Sequence, residues 1–354
     1  DRGPALLERR AVARQSHPGP PVRTAHTSSV TSAWRTSALA PAPTSPAPPA
    51  GSGTAWLVHC GDRLVRSTAT VSTRTARLAG FESEAASRRP WSQEKGRMKD
   101  DKALHVPWGL IRPVDVIGMW AHRHMHDYGT KREHFGNVAI AARKHAQRNP
   151  FAMMKDRPLD METYLAGRVI GYPLHLYDCC LETDGALACI VTSVERARDL
   201  KRKPVFIHSV AQASGPNPVH LANYNNAPTL QTTSVTCAKL LWQRPELGPK
   251  DIDCAQIYDA FTPLVVSGLE DYGFCKRGEG GPFTEGGRIE LGGELPVLTS
   301  GGGLSEAYVH GFNLLLEGAR QIRGTSTNQV PGCKATLVTG ASGVATSAVV
   351  LRGA

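Results

Sequence analysis

The first hundred residues of this 354-residue chain contain no isoleucine, no tyrosine and no asparagine, and only one phenylalanine, Phe81. Arginine, alanine, serine, threonine and proline fill the stretch, as in Ala38-Leu-Ala-Pro-Ala-Pro-Thr-Ser-Pro-Ala-Pro-Pro-Ala50. Neither a helical nor a strand period persists. Such a composition buries too little apolar surface to offset the entropy lost on ordering it. Two readings of residues 1–104 stay open. One is a disordered basic segment. The other is a GC-rich gene translated out of frame, which would enrich these residue types and deplete those with AT-rich codons. A targeting peptide is disfavoured by the length and the prolines. Either way, a globular core has to come from the remainder, which is long enough to build one.

Charge follows the same division. Residues 1–100 hold 13 Arg and 2 Lys against 7 acidic residues, which is +8 of the formal +10. Residues 101–354 hold 26 basic and 24 acidic residues, so no nucleic-acid surface is expected on the folded part. Eight cysteines form no CxxC pair and no zinc spacing, so reduced thiols, no metal and a cytoplasmic location are expected. No apolar run approaches the roughly 18–20 residues of a membrane span. No charged start with a following apolar stretch marks a secretory leader.

From about Pro107 the pattern changes. A helix is expected over Pro113 to Tyr128, stopped by Gly129. Thr130 to Glu133 reads as a capping box opening a helix from His134 to Gln147, and Asp160 to Thr163 starts a short one. Ala186 to Thr192 reads as a buried strand, Glu195 to Lys203 as a basic helix, and Val205 to Val210 as a strand. Further on, helices are expected over Thr232–Trp242, Thr262–Tyr272 and, as one long element, Ser305–Arg323. Strands are expected at Ile252–Ile257, Lys334–Thr339 and Thr346–Leu351. Strands alternating with helices predict a layered α/β domain.

Three short motifs stand out. Tyr258-Asp259-Ala260-Phe261 follows a strand. Ser300-Gly301-Gly302-Gly303-Leu304-Ser305 holds three consecutive glycines, suited to a turn needing positive φ, and leads through Tyr308 and His310 to Gly311. Gly340-Ala341-Ser342-Gly343 separates the last two strands. At the glycine run the tight turn is one reading, backbone amides facing a substrate oxygen are another, and both can hold together.

From about residue 107 onward the chain resembles the thiolase superfamily, and most closely its sterol-carrier and lipid-transfer branch. The marks are Tyr128-Gly129-Thr130, Arg143-Lys144-His145-Ala146, Asn149-Pro150, Asp178-Cys179-Cys180, Asp184-Gly185-Ala186, Gly278 to Gly281 and the motifs above. Beside the thiolase stretch S-G-G-L-I-S-K-G-H-P-L-G, the active-site His falls on Tyr308. Tyr258 likewise takes the first place of an H-D-C-F or N-E-A-F box. The resemblance implies a thiolase-like layered α/β/α fold, with only the loop domain and the C-terminal half recognisable. Residues 105–230 would form the loop region with part of the first core half, and residues 231–354 the C-terminal half. Two departures matter. Cys60, in Val58-His-Cys-Gly-Asp-Arg63, does not resemble the nucleophile turn, and the 340–343 loop carries no Cys.

Bacterial steroid side-chain aldolases of this branch carry tyrosines in both boxes. The resemblance therefore implies retro-aldol cleavage of a β-hydroxyacyl-CoA to a ketone and propionyl-CoA or a similar short acyl-CoA. It also implies a homodimer, a partner with an OB-fold, and no cofactor beyond the CoA moiety of the substrate. Tyr258 and Tyr308 become the candidate acid and base, with His310 as a weaker third. Gly301, Gly302, Gly303, Ser305, Gly340 and Gly343 become the candidate substrate-binding residues. Acyl transfer and non-catalytic binding of a lipid or acyl-CoA are the alternatives.

Overall fold

The structure, a computed structural model, describes residues 106–183, 185–214, 232–341 and 346–353, and the backbone of strands at 70–72 and 75–82. The helices are α1 (Pro113–Tyr128), α2 (Arg132–Gln147), α3 (Met161–Ala166), α4 (Val194–Arg198), α5 (Thr233–Leu241), α6 (Thr262–Asp271), α7 (Gly280–Phe283), α8 (Gly302–Ser305) and α9 (Phe312–Arg323). The strands are β1 (Thr70–Ser72), β2 (Thr75–Glu82), β3 (Val169–Gly171), β4 (Leu174–His175), β5 (Gly185–Thr192), β6 (Phe206–Ala213), β7 (Cys254–Gln256), β8 (Ala335–Thr339) and β9 (Thr346–Arg352). No helix among the described residues is long and apolar enough to cross a membrane.

The principal sheet has the order β6-β9-β8-β7, with β7 and β8 parallel and the other pairs antiparallel. Alternation along β9 assigns its two faces. The Thr233 hydroxyl at the start of α5 meets the Thr346 hydroxyl, so α5 lies on the Thr346, Ala348 and Val350 face. A Cβ at Gly318 of α9 would stand 3.4 Å from Leu351 Cδ1, so α9 lies on the other face. This helix–sheet–helix layering agrees with the α/β expectation. It explains why all five residues of β8 are buried.

Two further helices carry the core away from the sheet. α6 is buried at all ten positions, which suits its Pro-Leu-Val-Val apolar start. α2 buries Phe135, Val138 and four alanines. Its small residues let neighbours approach closely: a Cβ at Gly136 would stand 2.8 Å from Met161 Sδ and from Tyr164 Cδ1. α1 runs as expected from Pro113 to Tyr128, and Gly129 closes it at φ 68°.

Four expectations need correction. The N-cap of α2 is Lys131, whose amide donates to His134 Nδ1 at 3.1 Å. The Thr130 hydroxyl instead lies 2.8 Å from His124 Nδ1. β5 is not a buried strand. Only Leu187 is buried, because β5 sits at the edge of the order β1-β2-β5 and pairs only with β2. The basic helix shrinks to Val194–Arg198. The long helix over Ser305–Arg323 shortens to α9, because His310 (φ 50°) and Gly311 (φ 79°) leave the helical region, and Ser305 instead ends α8. β1 and β2 fall inside the stretch where no strand period was legible. The rest of residues 1–105 lies outside the described residues.

Candidate active site

Three chain segments converge at the C-terminal ends of the parallel strands β7 and β8, where α/β sheets commonly place ligands. The first leaves β7 and carries Tyr258, whose amide donates to Thr339 Oγ1 at 2.8 Å, at the end of β8. The second is the glycine turn, fixed to β7 by Leu298 N donating to Ala255 O at 3.1 Å. The third follows β8, where Gly340 N donates to Ser347 O at 2.7 Å. Gly343 lies outside the described residues.

The structure brings the two motif tyrosines together. Their hydroxyl oxygens are 2.6 Å apart, and both residues are 6 % exposed. The rings are tilted at 56°, with centroids 6.3 Å apart. The break between α8 and α9 makes this possible. It releases Tyr308 from helical geometry and turns its phenol toward Tyr258. The His310 ring lies 5.1 Å from the Tyr308 ring, centroid to centroid.

Glycine is required here for contact as well as for φ. A Cβ at Gly303 would stand 2.9 Å from Tyr308 Cδ2, and one at Gly311 2.9 Å from Tyr258 Cδ2. Gly301 and Gly302 take φ of 107° and 60°, which only glycine adopts freely.

Four amides of the glycine turn are already used within the chain. Gly303 N and Leu304 N each donate to the Asp259 carboxylate at 3.0 Å. Ser305 N donates to Gly301 O at 2.9 Å, and Gly301 N to Leu298 O at 2.8 Å. A protein carboxylate therefore already occupies this short helix start. Asp259 is 1 % exposed, and burial pushes its carboxyl up to about 7 despite these two amide bonds. Ser305 is also committed to the core: its hydroxyl accepts from Arg143 Nε at 3.0 Å.

Sequence reasoning gave no site role to the segment 179–183, which passes between the two motifs. Cys179 forms an isolated bridge with Phe261, and Cys180 N donates to Ala260 O at 3.0 Å. Leu181 N donates to Gly303 O at 2.9 Å. The Thr183 hydroxyl donates to Tyr308 O at 2.5 Å and accepts from Tyr308 N at 3.0 Å. Asp178, Cys179 and Cys180 drew notice as marks of the family resemblance. Contacts of such sequence separation leave no local signature.

Five of the described thiols are held protonated. Burial pushes Cys179 and Cys275 up to about 12, and Cys189 and Cys237 up to about 11. Cys254 is raised by its contact with Cys333, 3.8 Å away, and by burial. A thiol held protonated is a poor nucleophile. Among the described residues, no group of three or more His, Cys, Asp or Glu could hold a metal ion.

Comparison with known proteins agrees with this architecture. Residues 220–351 match the thiolase C-terminal domain-like family. The chain is 44 % identical over 253 residues to the 17-hydroxy-3-oxo-4-pregnene-20-carboxyl-CoA lyase of Mycobacterium tuberculosis, covering 71 % of this chain and 65 % of the lyase. It is 43 % identical over 265 residues to the steroid side-chain-cleaving aldolase of Thermomonospora curvata, covering 73 % of this chain and 68 % of the aldolase. The chain thus spans about two-thirds of the length of these relatives. The solved Ltp2-ChsH2(DUF35) aldolase superposes with a TM-score of 0.74 at 39 % identity, over 79 % of this chain and 72 % of that one. With the fold, the paired motifs and these identities in agreement, the chain belongs to the thiolase superfamily, in the branch that holds the steroid side-chain-cleaving aldolases.

Proposed function

We propose that this chain is a carbon–carbon lyase that cleaves a β-hydroxyacyl-CoA by a retro-aldol reaction, with a steroid side chain as the acyl group. The observation that carries the reading is the pair of tyrosine hydroxyls 2.6 Å apart. In a retro-aldol step the β-hydroxyl loses its proton, the bond between the α- and β-carbons breaks, and a ketone leaves. The electron pair stays on the acyl-CoA fragment as a thioester enolate, which then takes a proton at the α-carbon.

One proton is removed and one is delivered, so the reaction needs a base and an acid but no redox partner. A phenol has an unperturbed pKa near ~10, so a tyrosine acts as base only when its site favours the phenolate or when transfer is concerted. The second hydroxyl, donating across the 2.6 Å contact, stabilises such a phenolate. After the cycle the proton taken by one tyrosine replaces the proton given by the other, passing along the same hydrogen bond. Which tyrosine is the base is left open by the symmetry of the contact.

The substrate class rests on the two relatives named for steroid side-chain cleavage. The solved aldolase named with its ChsH2(DUF35) component supports a partner protein for this chain as well. An OB-fold in that partner, a homodimer and a cytoplasmic location complete the proposal. Acyl transfer is the weaker reading, because it needs a reactive thiol.

Tyr258→Phe and Tyr308→Phe test the proposal, assayed in the full chain with its partner protein by release of the short acyl-CoA. Each is expected to lower kcat by roughly 10²- to 10⁴-fold, the range of general acid–base contributions. Near-normal cleavage by either variant would remove that tyrosine from the mechanism.

A further inference from the structure

Tyr308 sits in the gap between α8 and α9 and is not an interior residue of either helix. Its peptide groups lack the regular ladder that fixes a helical residue. A single side chain takes over both. Thr183 Oγ1 accepts from the Tyr308 amide at 3.0 Å and donates to the Tyr308 carbonyl at 2.5 Å. A hydroxyl has one proton to give and lone pairs to receive, so one oxygen can satisfy both groups of one residue. Gripped at both ends, the residue cannot rotate about its own backbone without breaking a bond, and the direction of its Cβ is set.

The clamp is itself held. Thr183 is 2 % exposed. Two residues before it, Leu181 N donates to Gly303 O at 2.9 Å, on the turn that leads to Tyr308. One residue earlier, Cys180 N donates to Ala260 O at 3.0 Å, on the motif that carries Tyr258. At the far end Asp178 Oδ1 accepts from Thr262 Oγ1 at 2.6 Å, at the start of α6. The segment is therefore a ruler laid across the site, with one end registered on Tyr258 and the other on Tyr308.

We propose that Thr183 is a positioning residue, whose hydroxyl grips the Tyr308 peptide and so sets the separation of the two reacting hydroxyls. It touches no reacting atom. The inference rests on the retro-aldol reading, because it assigns Thr183 to the alignment that the reaction needs.

The test compares Thr183→Val, which keeps the branched shape and removes the hydroxyl, with Thr183→Ser, which keeps the hydroxyl. Both are assayed with the partner protein, beside Tyr308→Phe. A displacement on the order of 1 Å costs up to about 10²-fold in rate. Thr183→Val should therefore lower kcat by roughly 10- to 100-fold with KM changed less than about 2-fold, and Thr183→Ser should recover kcat to within about 3-fold of wild type. If the valine variant does not fold, Thr183→Ala against Thr183→Ser decides in the same terms. Unchanged kcat in the valine variant while Tyr308→Phe is inactive would overturn this inference and leave the retro-aldol reading standing. A serine variant as slow as the valine variant would also overturn it, because shape rather than the hydroxyl would then matter. Full activity in Tyr308→Phe would overturn both.

Discussion

Gly303 stands between Tyr308 and Asp259. A Cβ placed there would lie 2.9 Å from Tyr308 Cδ2 and 3.0 Å from Asp259 Oδ1. The tyrosine ring can give way only by turning about its side-chain bonds. The tyrosine peptide is held by Thr183, and the carboxylate is held by the amides of Gly303 and Leu304. Gly303→Ala should therefore rotate the Tyr308 ring away from Tyr258. The expected result is a loss of about 10-fold or more in kcat and of about 1–3 kcal/mol in stability from overpacking. Steady-state kinetics and denaturant unfolding would read these separately. A variant with lost stability and intact kcat would show that the ring does not move. The same crowding explains why this position was legible as a glycine requirement while its reason was not. The run of three glycines pointed to positive φ, yet at Gly303 the demand is for space beside a phenol.

Among the elements, the four-residue helix α8 depends on Asp259, which supplies the acceptor for its first amides. The folded Asp259 keeps its proton up to about pH 7, whereas the unfolded carboxyl releases it near ~4. Between these limits the folded state binds the extra proton. The stability contributed by this group therefore falls as pH rises from about 4 to about 7 and is level on either side. Asp259→Asn has no proton to lose. The stability of wild type minus that of the variant should fall between about pH 4 and about pH 7, on the order of a few kcal/mol. Denaturant titrations across that range measure it, and a constant difference would mean that Asp259 is ionised throughout.

Element ends with chemical punctuation were readable. Pro113 and Gly129 bound α1, Asp160 caps α3 by accepting from Thr163 N, and Thr232 caps α5 by accepting from Ser234 N. The break before α9 was not readable, since Leu314, Leu316 and Ile322 continue the apolar spacing and nothing local marks His310 for φ 50°. Nor was the Thr183 clamp, which joins residues 125 positions apart. The tyrosine pair itself was found through the family resemblance, because nothing in the local pattern of either motif brings two phenols together.

Across the whole molecule, buried charges join parts that are remote in sequence. The Glu270 carboxylate, on α6, accepts from Gly278 N at 3.1 Å, Gly280 N at 2.9 Å and Arg277 Nη1 at 2.8 Å. His124 of α1 reaches it at 3.2 Å. Arg277 also pairs with Asp271, which accepts from Thr232 Oγ1 at 2.5 Å at the cap of α5. Burial pushes the Asp271 carboxyl up to about 6, against the pull of the Arg277 guanidinium. Arg277→Met would strand both carboxylates and is expected to cost about 3–5 kcal/mol, read as a lower denaturant midpoint. Adding Glu270→Gln and Asp271→Asn should recover part of that loss; no recovery would assign the effect to packing of the arginine stem.

This network has a consequence for how the domain assembles. Helix α1, the turn at 277–280 and the cap of α5 each bring a polar group whose partner comes from elsewhere in the chain. A form with only some of them docked would hold Glu270 or Asp271 away from water with donors missing. Half-built states are penalised, so this part of the molecule should melt in one step rather than fray from its edges.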